Sequence, residues 1–355
     1  MRLFSPASRF LALLLPLLFV AAPHSPGARM EAVEIPGDTL KDNPLRDPVR
    51  RRVALVLPEK PQEVDRLVFY LPGYGGSSED ALRARVTFPR LVEQLASEGL
   101  ALGIVLVDCR NRWGGSQYLN SPAQGNYADY VCNEILPLVE SRLGLKLKAD
   151  QRVVAGHSSG GYGAVMLGMQ RRDLFGHVVA IAPDGDFEVT CRDWFVDPQL
   201  TRLTEADIAA IQNGPRSVAQ SKGGLVELVA GLSAAFAPVG PQAPGKSHWI
   251  LDGRGQLRPE VWAQWLQVDP LLILRKNPEA FAATQSVYLE GTAQDSLLNN
   301  VAARNMYEVL RKRPGRSAHH EPPGGHNHAV PERLARGLEW TFNKPMREIP
   351  LPGAR

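Results

Sequence analysis

The sequence predicts an α/β protein in which helices cover both faces of a mostly parallel sheet. From Arg51 onward, runs of Val, Ile and Leu recur, and most are apolar throughout rather than alternating with polar residues. Runs of this kind are typical of strands that are buried on both faces. Helical patterns lie between the runs, and a repeated strand–helix–strand order indicates a parallel sheet.

The predicted elements follow one another in a regular order. The strands are residues 53–58, 66–72, 100–109, 152–157, 177–183 and 286–291, and a final strand includes His319 and His320. The helices are residues 81–97, 127–143, 160–174, 297–311 and 331–342. We see no internal repeat in the sequence and expect a single domain over residues 29–355.

Residues 186–284 depart from this order and are predicted to form a largely helical insertion. Helical runs occur at 205–212, 224–237 and 259–266, and a linker rich in Pro and Gly lies at 238–245. About a hundred residues are too many for a plain loop, so we expect the insertion to pack over the sheet, where it could act as a lid. Its tryptophans form either an aromatic wall for a substrate or an ordinary core, and we favour the core. They are Trp194, Trp249, Trp262 and Trp265.

The first 28 residues are predicted to be a secretory signal peptide. Arg2 and Arg9 come before the apolar run 10–22, and small residues follow that run. A basic start, a short apolar centre and small residues near a cleavage site characterise such a peptide. The run is shorter than the roughly 20 residues of a membrane-spanning helix. We therefore expect a secreted or periplasmic protein with no stable membrane span after signal cleavage, and an uncleaved anchor is the alternative.

Charge and cysteine content narrow the expected partners and covalent links. The chain has 40 Lys and Arg residues against 37 Asp and Glu residues, a formal net charge of +3. Since nucleic-acid binders usually carry a clustered basic stripe, this balance gives no reason to expect nucleic acid as a partner.

An odd number of cysteines leaves at least one of them free or paired outside the chain, and we expect buried thiols with at most one disulfide. They are Cys109, Cys132 and Cys191.

The segment RVVAGHSSGGYGA contains the pattern G-x-S-x-G at residues 156–160. A predicted strand ends at His157 and a predicted helix begins just after the pattern, which is the context of a nucleophile elbow. Ser158 at the apex is the predicted nucleophile, and Ser159 is the next candidate. The same turn would direct the amide of Ser159 at the oxygen that becomes negative when a carbonyl is attacked. A tight turn without chemistry is the alternative.

A serine nucleophile needs a base, and the base is normally histidine. In the α/β-hydrolase fold, to which an elbow of this kind points, the triad follows the chain order Ser, Asp or Glu, His. His326 lies in a loop between the last predicted strand and helix, after two glycines that leave its backbone free to adapt. His326 is therefore the predicted base, and His328 is the second candidate.

The carboxylate that orients the base should follow the preceding strand. Asp295 lies a few residues beyond the strand 286–291 and is the predicted acid. Its alternative role is to cap the helix that begins near it. Glu290 is the other candidate acid, although its place inside the strand leaves it less free to reach the histidine loop.

The second oxyanion donor should come from the loop after the strand 66–72. That loop reads PGYGG (72–76), and its glycines permit close backbone approach. The backbone amide of Tyr74 is the predicted donor, and a glycine-rich turn without chemistry is the alternative. Asp184 and Tyr162 are candidates for lining the pocket, and a solvated turn is as good an interpretation for Asp184.

These motifs resemble the esterase family of α/β-hydrolases that includes S-formylglutathione hydrolases, feruloyl esterases, enterochelin esterases and mycolyltransferases. The resemblance covers most of residues 34–342. It rests on the opening segment DTLKDNPLRDPVRRRVALVLP, on LPGYGG, on GHSSGGYGA, on the G-x-x-x-D of residues 291–295 and on GGH at 324–326. Two departures are that Pro72 stands where the family often has histidine, and that the insertion is longer than in the small members.

The resemblance implies the α/β-hydrolase fold and a set of site residues. The implied triad is Ser158, Asp295 and His326, and the implied oxyanion donors are the amides of Tyr74 and Ser159. We expect no cofactor and no metal. Because the insertion is longer than in the small members, the substrate does not carry over from the family.

The expected function is hydrolysis of a small-molecule or polymer-linked carboxylic ester by a secreted serine esterase that forms an acyl-enzyme. Acyl transfer to an alcohol is the alternative on the same scaffold, and a peptidase is a weaker one. A non-catalytic binding protein with this fold is a third alternative. The histidines of SAHHEPPGGHNHAV could instead bind zinc, but no H-E-x-x-H spacing accompanies them.

Overall fold

A computed structural model describes residues 27–84 and 87–353 of the chain. The predicted signal peptide, residues 1–28, lies outside the described residues except for its last two positions. Across the two described ranges, no helix combines the length and the apolar character that crossing a membrane requires.

The strands of the described residues form one large sheet and one small one. In the large sheet the strand order is β1-β2-β4-β3-β7-β8-β9-β10, while β5 pairs with β6. β1 and β2 are antiparallel to their neighbours, and every pair from β4 to β10 is parallel. The strands are β1 (Arg29–Ile35), β2 (Arg51–Leu57), β3 (Leu67–Leu71), β4 (Gly103–Leu106), β5 (Asn120–Ser121), β6 (Gly125–Asn126), β7 (Arg152–His157), β8 (His177–Ile181), β9 (Ser286–Glu290) and β10 (Arg316–His320).

Helices follow most of the strands, and several more lie in the insertion. Those outside the insertion are α1 (Ser78–Ala84), α2 (Thr87–Ser97), α3 (Tyr127–Asp129), α4 (Leu136–Leu143), α5 (Ser159–Gln170), α13 (Asn299–Leu310) and α14 (Val330–Thr341). A π-helical segment, Tyr130–Ile135, joins α3 to α4. Those of the insertion are α6 (Phe187–Thr190), α7 (Pro198–Thr201), α8 (Glu205–Asn213), α9 (Arg216–Lys222), α10 (Gly224–Phe236), α11 (Pro259–Gln267) and α12 (Pro270–Lys276).

The apolar strands pack helices on both of their faces, which explains why their sequences do not alternate. Successive side chains of a strand point to opposite faces of the sheet. In β3, Leu67, Phe69 and Leu71 belong to an apolar cluster with α4, α5, α13 and the insertion. Val68 and Tyr70 belong to a second cluster with α2 and α14. The predicted fold class, a mostly parallel sheet between two layers of helices, is confirmed.

The insertion is largely helical and has an aromatic core. Trp265 is fully buried. Its ring lies 5.2 Å from that of Phe236, 5.9 Å from that of Phe195 and 6.4 Å from that of Phe187. Among the other tryptophans of the insertion, Trp249 and Trp262 are buried and Trp194 packs against the same core. They stabilise the packing of the insertion and form no exposed aromatic wall.

Candidate active site

Ser158 occupies the turn between β7 and α5 with φ 59° and ψ −125°. A positive φ is strained for a residue with a side chain and costs on the order of 1–3 kcal/mol. Flanking glycines make the turn possible. A Cβ on Gly156 would lie 2.2 Å from the carbonyl oxygen of Gly160, and a Cβ on Gly160 would lie 1.8 Å from that of Leu71. The sharp turn that the motif predicts is therefore present, with Ser158 half-buried at its apex.

Side chains from three separate loops form a continuous hydrogen-bonded chain. Nε2 of His326 lies 3.0 Å from Oγ of Ser158, and Nδ1 of His326 lies 2.8 Å from Oδ2 of Asp295. An ionised carboxylate can only accept, so Nδ1 carries the proton of the neutral ring and Nε2 is left to accept from the Ser158 hydroxyl. The side chain of Asp295 is fully buried, and that of His326 is 11% exposed. This arrangement can move a proton from the serine to the imidazole beside a buried negative charge.

The loops that carry Asp295 and His326 are joined by hydrogen bonds. They follow the adjacent parallel strands β9 and β10, whose carboxyl ends lie at the same edge of the sheet. The amide of Ala293 donates to the carbonyl oxygen of Pro322 at 2.9 Å. The amide of Gln294 donates to that of Gly324 at 3.1 Å, and the side-chain oxygen of Gln294 accepts from the Gly324 amide at 2.6 Å. These bonds hold the two loops in register.

Asp295 does not cap the helix that follows it, which was its alternative role. α13 begins at Asn299, two positions later than the sequence predicts, after Leu298 with a φ of 60°. Oδ1 of Asp295 instead accepts from the amide of Leu297 at 2.9 Å, inside the preceding turn. Its other carboxylate oxygen is thereby left for His326.

The other candidate acid and base lie away from the Ser158 hydroxyl. Glu290 pairs with Arg333 in a fully buried ion pair. Burial is the main influence on the Glu290 carboxyl and raises its pKa, although Arg333 acts in the opposite direction. Nε2 of His328 donates to the carbonyl oxygen of Pro350 at 2.6 Å.

Ser159, the second candidate nucleophile, belongs to a buried polar network next to the elbow. Its hydroxyl donates to Oδ2 of Asp184 at 2.8 Å and accepts from the side-chain amide of Gln117 at 3.1 Å. Asn299 donates to the other oxygen of Asp184 at 3.0 Å. Burial raises the pKa of the Asp184 carboxyl, and the Ser159 hydrogen bond partly offsets this. Because Ser159 is the first residue of α5, its backbone amide has no partner within the helix.

Tyr74 lies in the loop of residues 72–76, which we call the glycine loop. The amide of Gly75 donates to the carbonyl oxygen of Gly114 at 2.9 Å, which ties the glycine loop to the loop after β4. Gly73 brings the glycine loop to the elbow, since a Cβ on Gly73 would lie 3.3 Å from the Cβ of Ser158. The glycine loop is thus next to the nucleophile candidate. It follows β3, whereas the loop that carries His326 follows β10.

The side chain of Tyr74 connects the glycine loop to the insertion. Its hydroxyl donates to the carbonyl oxygen of Trp113 and lies 3.5 Å from that of Glu227 in α10. A Cβ on Gly231 of α10 would lie 2.6 Å from this hydroxyl. Burial raises the pKa of the Tyr74 hydroxyl, so it stays protonated and remains a donor. The insertion therefore supports the glycine loop through α10.

Of the two candidate pocket residues, only Asp184 lies at the site. Tyr162 is fully buried, and its hydroxyl donates to the carbonyl oxygen of Val268 at 2.9 Å. Its ring packs against those of Phe187 and Phe236. Tyr162 therefore packs the insertion against α5 and does not line an open pocket.

Sequence reasoning missed several residues that surround the site. Gln117 contacts Ser159 from a loop with no recognisable sequence motif. His157 was noticed as part of the elbow pattern, but its contact with the histidine loop joins residues 169 positions apart. Arg333 was part of a predicted helix, and its buried partner is far away in the sequence. Only long-range contacts could have revealed these residues.

The histidines of the His-rich segment lie in separate environments. The ring of His319 stacks on that of Tyr307 at 5.8 Å, and the ring of His320 stacks on that of Tyr288 at 5.4 Å. In the part of the chain that the structure describes, no group of three or more His, Cys, Asp or Glu side chains could hold a metal ion.

Comparison with known proteins identifies the family. Residues 49–332 match the model of the family described as "Putative esterase". The chain belongs to this esterase family. It is accordingly a carboxylic ester hydrolase, as the sequence predicts. Comparison with curated proteins found no match.

Solved structures similar to this esterase have the same fold at low sequence identity. Fluorophosphonate-binding serine hydrolase F of Staphylococcus aureus is 16% identical with a TM-score of 0.54, covering 90% of this chain and 100% of that chain. An S-formylglutathione hydrolase of Agrobacterium tumefaciens is 14% identical with a TM-score of 0.55, covering 92% and 98%. An enterobactin esterase of Shigella flexneri is 18% identical with a TM-score of 0.51, covering 91% and 60%. These likenesses establish the fold of this esterase.

Proposed function

We propose that this esterase hydrolyses its substrate through a Ser158–His326–Asp295 triad and an acyl-enzyme intermediate. The observation that carries the proposal is the unbroken hydrogen-bonded chain from Oγ of Ser158 through both ring nitrogens of His326 to Oδ2 of Asp295. A strained serine at a strand-to-helix turn, with an oriented histidine in contact, is the arrangement that activates a serine nucleophile.

The acylation step begins with the Ser158 hydroxyl. Nε2 of His326 takes its proton as Oγ attacks the acyl carbon, and the imidazolium then gives that proton to the leaving alcohol. Asp295 keeps the proton of the neutral ring on Nδ1 and stabilises the imidazolium while remaining ionised. The full burial of the Asp295 side chain favours both roles, because a charge interaction is stronger away from water.

The negative oxygen that forms in this step would bind the backbone amides of Tyr74 and Ser159. The N-terminus of α5 adds a partial positive charge at the same place. Loss of one such donor typically lowers turnover by about 10²–10³-fold. The hydrogen bonds that fix the glycine loop support this assignment, because donors must be held in place before charge develops.

Deacylation repeats the steps with water as the attacking group, activated by His326. Replacement of water by an alcohol would give acyl transfer, and a non-catalytic role on the same scaffold is the remaining alternative. The occupied triad positions favour catalysis.

We propose a small-molecule or polymer-linked ester as substrate, and secretion to the periplasm or the exterior directed by residues 1–28.

Turnover by paired serine variants tests the proposal. Ser158→Ala should lower kcat for a chromogenic short-chain ester by several orders of magnitude, because the triad members act as a unit. Ser159→Ala is the matched control, since it removes a neighbouring hydroxyl and keeps the backbone amide. Wild-type turnover by Ser158→Ala would contradict the proposed triad. Export is tested separately by fractionating cells that express the full chain and a chain without residues 1–28.

A further inference from the structure

We infer that His157 and the buried Glu290–Arg333 ion pair are positioning residues that hold His326 by its backbone carbonyl oxygen in the geometry of a general base. The inference rests on the proposed function, since it takes His326 as that base. None of the three residues has to touch a substrate. They act on the peptide unit of His326, whose imidazole contacts Ser158 at one end and Asp295 at the other.

The carbonyl oxygen of His326 accepts two hydrogen bonds from opposite parts of the fold. Nε2 of His157, at the end of β7, lies 3.0 Å from it. Nη1 of Arg333, in the first turn of α14, also lies 3.0 Å from it and reaches the carbonyl oxygen of His328 at 3.2 Å. The loop around His326 has no regular secondary structure, so these bonds provide the anchors that a helix or strand would otherwise supply.

The contacts of His157 make it a donor and not a second base. Its ring centre lies 4.7 Å from that of His326. Burial, together with the nearby His326 and Arg333, holds the pKa of His157 well below its ordinary value, so the ring is neutral. A neutral ring has one N–H, and a carbonyl oxygen beside Nε2 requires that nitrogen to carry it. His157 is the neighbour of Ser158 in the chain. Its hydrogen bond therefore holds the elbow and the backbone of His326 in a fixed relative position.

The ion pair links the acid-bearing strand to the base-bearing loop. Glu290 is the last residue of β9, five positions before Asp295, and both Glu290 and Arg333 are 0% exposed in their side chains. Burying two charges is costly, and replacing such a pair by apolar residues is often neutral for stability. A contribution to stability therefore does not explain the pair well. The position of the pair explains it better, because the pair connects the end of β9, which leads to Asp295, with the loop that carries His326.

A positioning role matters because the triad tolerates little displacement. A shift of about 1 Å in a reacting group can lower turnover by roughly 10²-fold. Two glycines precede His326, and Gly324 has a φ of 128°, so the chain just before His326 depends on contacts rather than on intrinsic backbone preference for its conformation. Without the two donors, the carbonyl oxygen of His326 would lose both of its hydrogen bonds, and the imidazole would keep only its side-chain contacts with Asp295 and Ser158.

The test compares two buried ion pairs of the same kind. In the double variant Glu290→Met/Arg333→Met, both charges are replaced by apolar side chains of similar length, so no unpaired charge is left. The control is Glu140→Met/Arg152→Met. That pair is also buried, and Arg152 also donates to two carbonyl oxygens, those of Leu147 at 2.7 Å and Leu174 at 3.3 Å. Arg152 begins β7 and lies at the opposite edge of the sheet from Ser158.

We expect the first double variant to lower kcat for a chromogenic ester by about 10- to 100-fold with KM unchanged. The control pair should retain wild-type kcat, whatever its melting temperature. A separate pair of variants tests His157: His157→Leu should lower kcat, and His157→Gln, which keeps an N–H at the corresponding position, should restore most of it. Wild-type kcat in both Glu290→Met/Arg333→Met and His157→Leu would overturn the inference.

A readout that needs no turnover separates this inference from the proposed function. The proton on Nδ1 of His326, bonded to Asp295, should give a protected low-field NMR signal that is absent in His326→Gln. We expect the signal to persist in the control pair and to broaden or shift in Glu290→Met/Arg333→Met and His157→Leu. An unchanged signal in the last two would contradict positioning, even if the esterase proved inactive. Conversely, wild-type turnover by Ser158→Ala would overturn the proposed triad and leave the NMR result standing.

Discussion

Nε2 of His326 lies 3.0 Å from Oγ of Ser158, although 168 positions separate the two residues in the chain. The parallel sheet produces this contact, because β7 and β10 both end at the edge where the two loops meet. The hydrogen bonds between the Asp295 and His326 loops complete the arrangement. Several measurable consequences follow from it.

Asp295→Asn should inactivate the esterase without unfolding it. The amide occupies the same space but can donate to Nδ1 of His326, which favours the wrong tautomer and leaves Nε2 protonated. We expect kcat for a chromogenic ester to fall by about four orders of magnitude. The melting temperature, measured by circular dichroism, should change little. A variant that keeps more than a tenth of wild-type kcat would show that Asp295 does not orient the base.

Ser159→Ala should separate stability from turnover. The backbone amide remains, so kcat should stay close to wild type. The Asp184 carboxylate and the Gln117 side chain lose their shared partner, and an unsatisfied buried polar group costs about 1–3 kcal/mol. Urea unfolding would measure that loss. An unchanged unfolding free energy would indicate that the polar network contributes nothing net.

Gly160→Ala should destabilise the elbow. The new Cβ would lie 1.8 Å from the carbonyl oxygen of Leu71, which is backbone and cannot move away cheaply. Overpacking of this kind typically costs about 1–3 kcal/mol. The matched control is Gly224→Ala at the start of α10, where a Cβ would meet nothing within 4 Å. A Gly160→Ala protein as stable and as active as the control would contradict the geometry of the turn.

The stability of the esterase should fall on acidification partly because of His157. Its pKa is well below the ordinary 6.5 in the folded protein, so below that pH the unfolded chain binds a proton that the folded protein does not. This contribution is full above about pH 7 and is lost as the pH falls through the ordinary pKa of histidine. Burial also lowers the pKa values of His177, His319 and His320. A variant is therefore needed to separate the contribution of His157 from theirs.

His157→Gln provides that variant. Its unfolding free energy should depend less steeply on pH than that of the wild type between about pH 7 and pH 5. The difference between the two curves isolates His157 from the other histidines. Parallel curves would mean that His157 takes up a proton over the same pH range in the folded protein as in the unfolded chain, and its role as a neutral donor would then fail.

Much of the fold could be predicted because the sequence patterns that mark its buried strands lie within short continuous segments. The apolar run 53–58 corresponds to β2 and the run 152–157 to β7, since a strand buried on both faces needs continuous apolar sequence. The strand β1, with the sequence RMEAVEI, was not predicted. It lies at the edge of the large sheet, its residues 32–35 alternate between exposed and buried, and among the described residues it pairs with β2.

The site could be predicted in part for the same reason. Ser158 had a motif with a strand before it and a helix after it, and the chain order indicated Asp295 and His326. Arg333 and Gln117 could not be found, because their partners are distant in sequence and no periodicity records such contacts. Tyr162 was misjudged as a pocket residue because a helical position next to an elbow can face either the site or the core. The packing of Phe236 against it decides for the core.

The most direct test of the account is to locate the serine that reacts with a fluorophosphonate. The intact esterase is treated with the probe, digested and analysed by mass spectrometry. We expect a single adduct on Ser158, no adduct in Ser158→Ala and an undiminished adduct in Ser159→Ala. An adduct on Ser159, or ester turnover that persists when Ser158 is fully labelled, would contradict the assignment of the nucleophile.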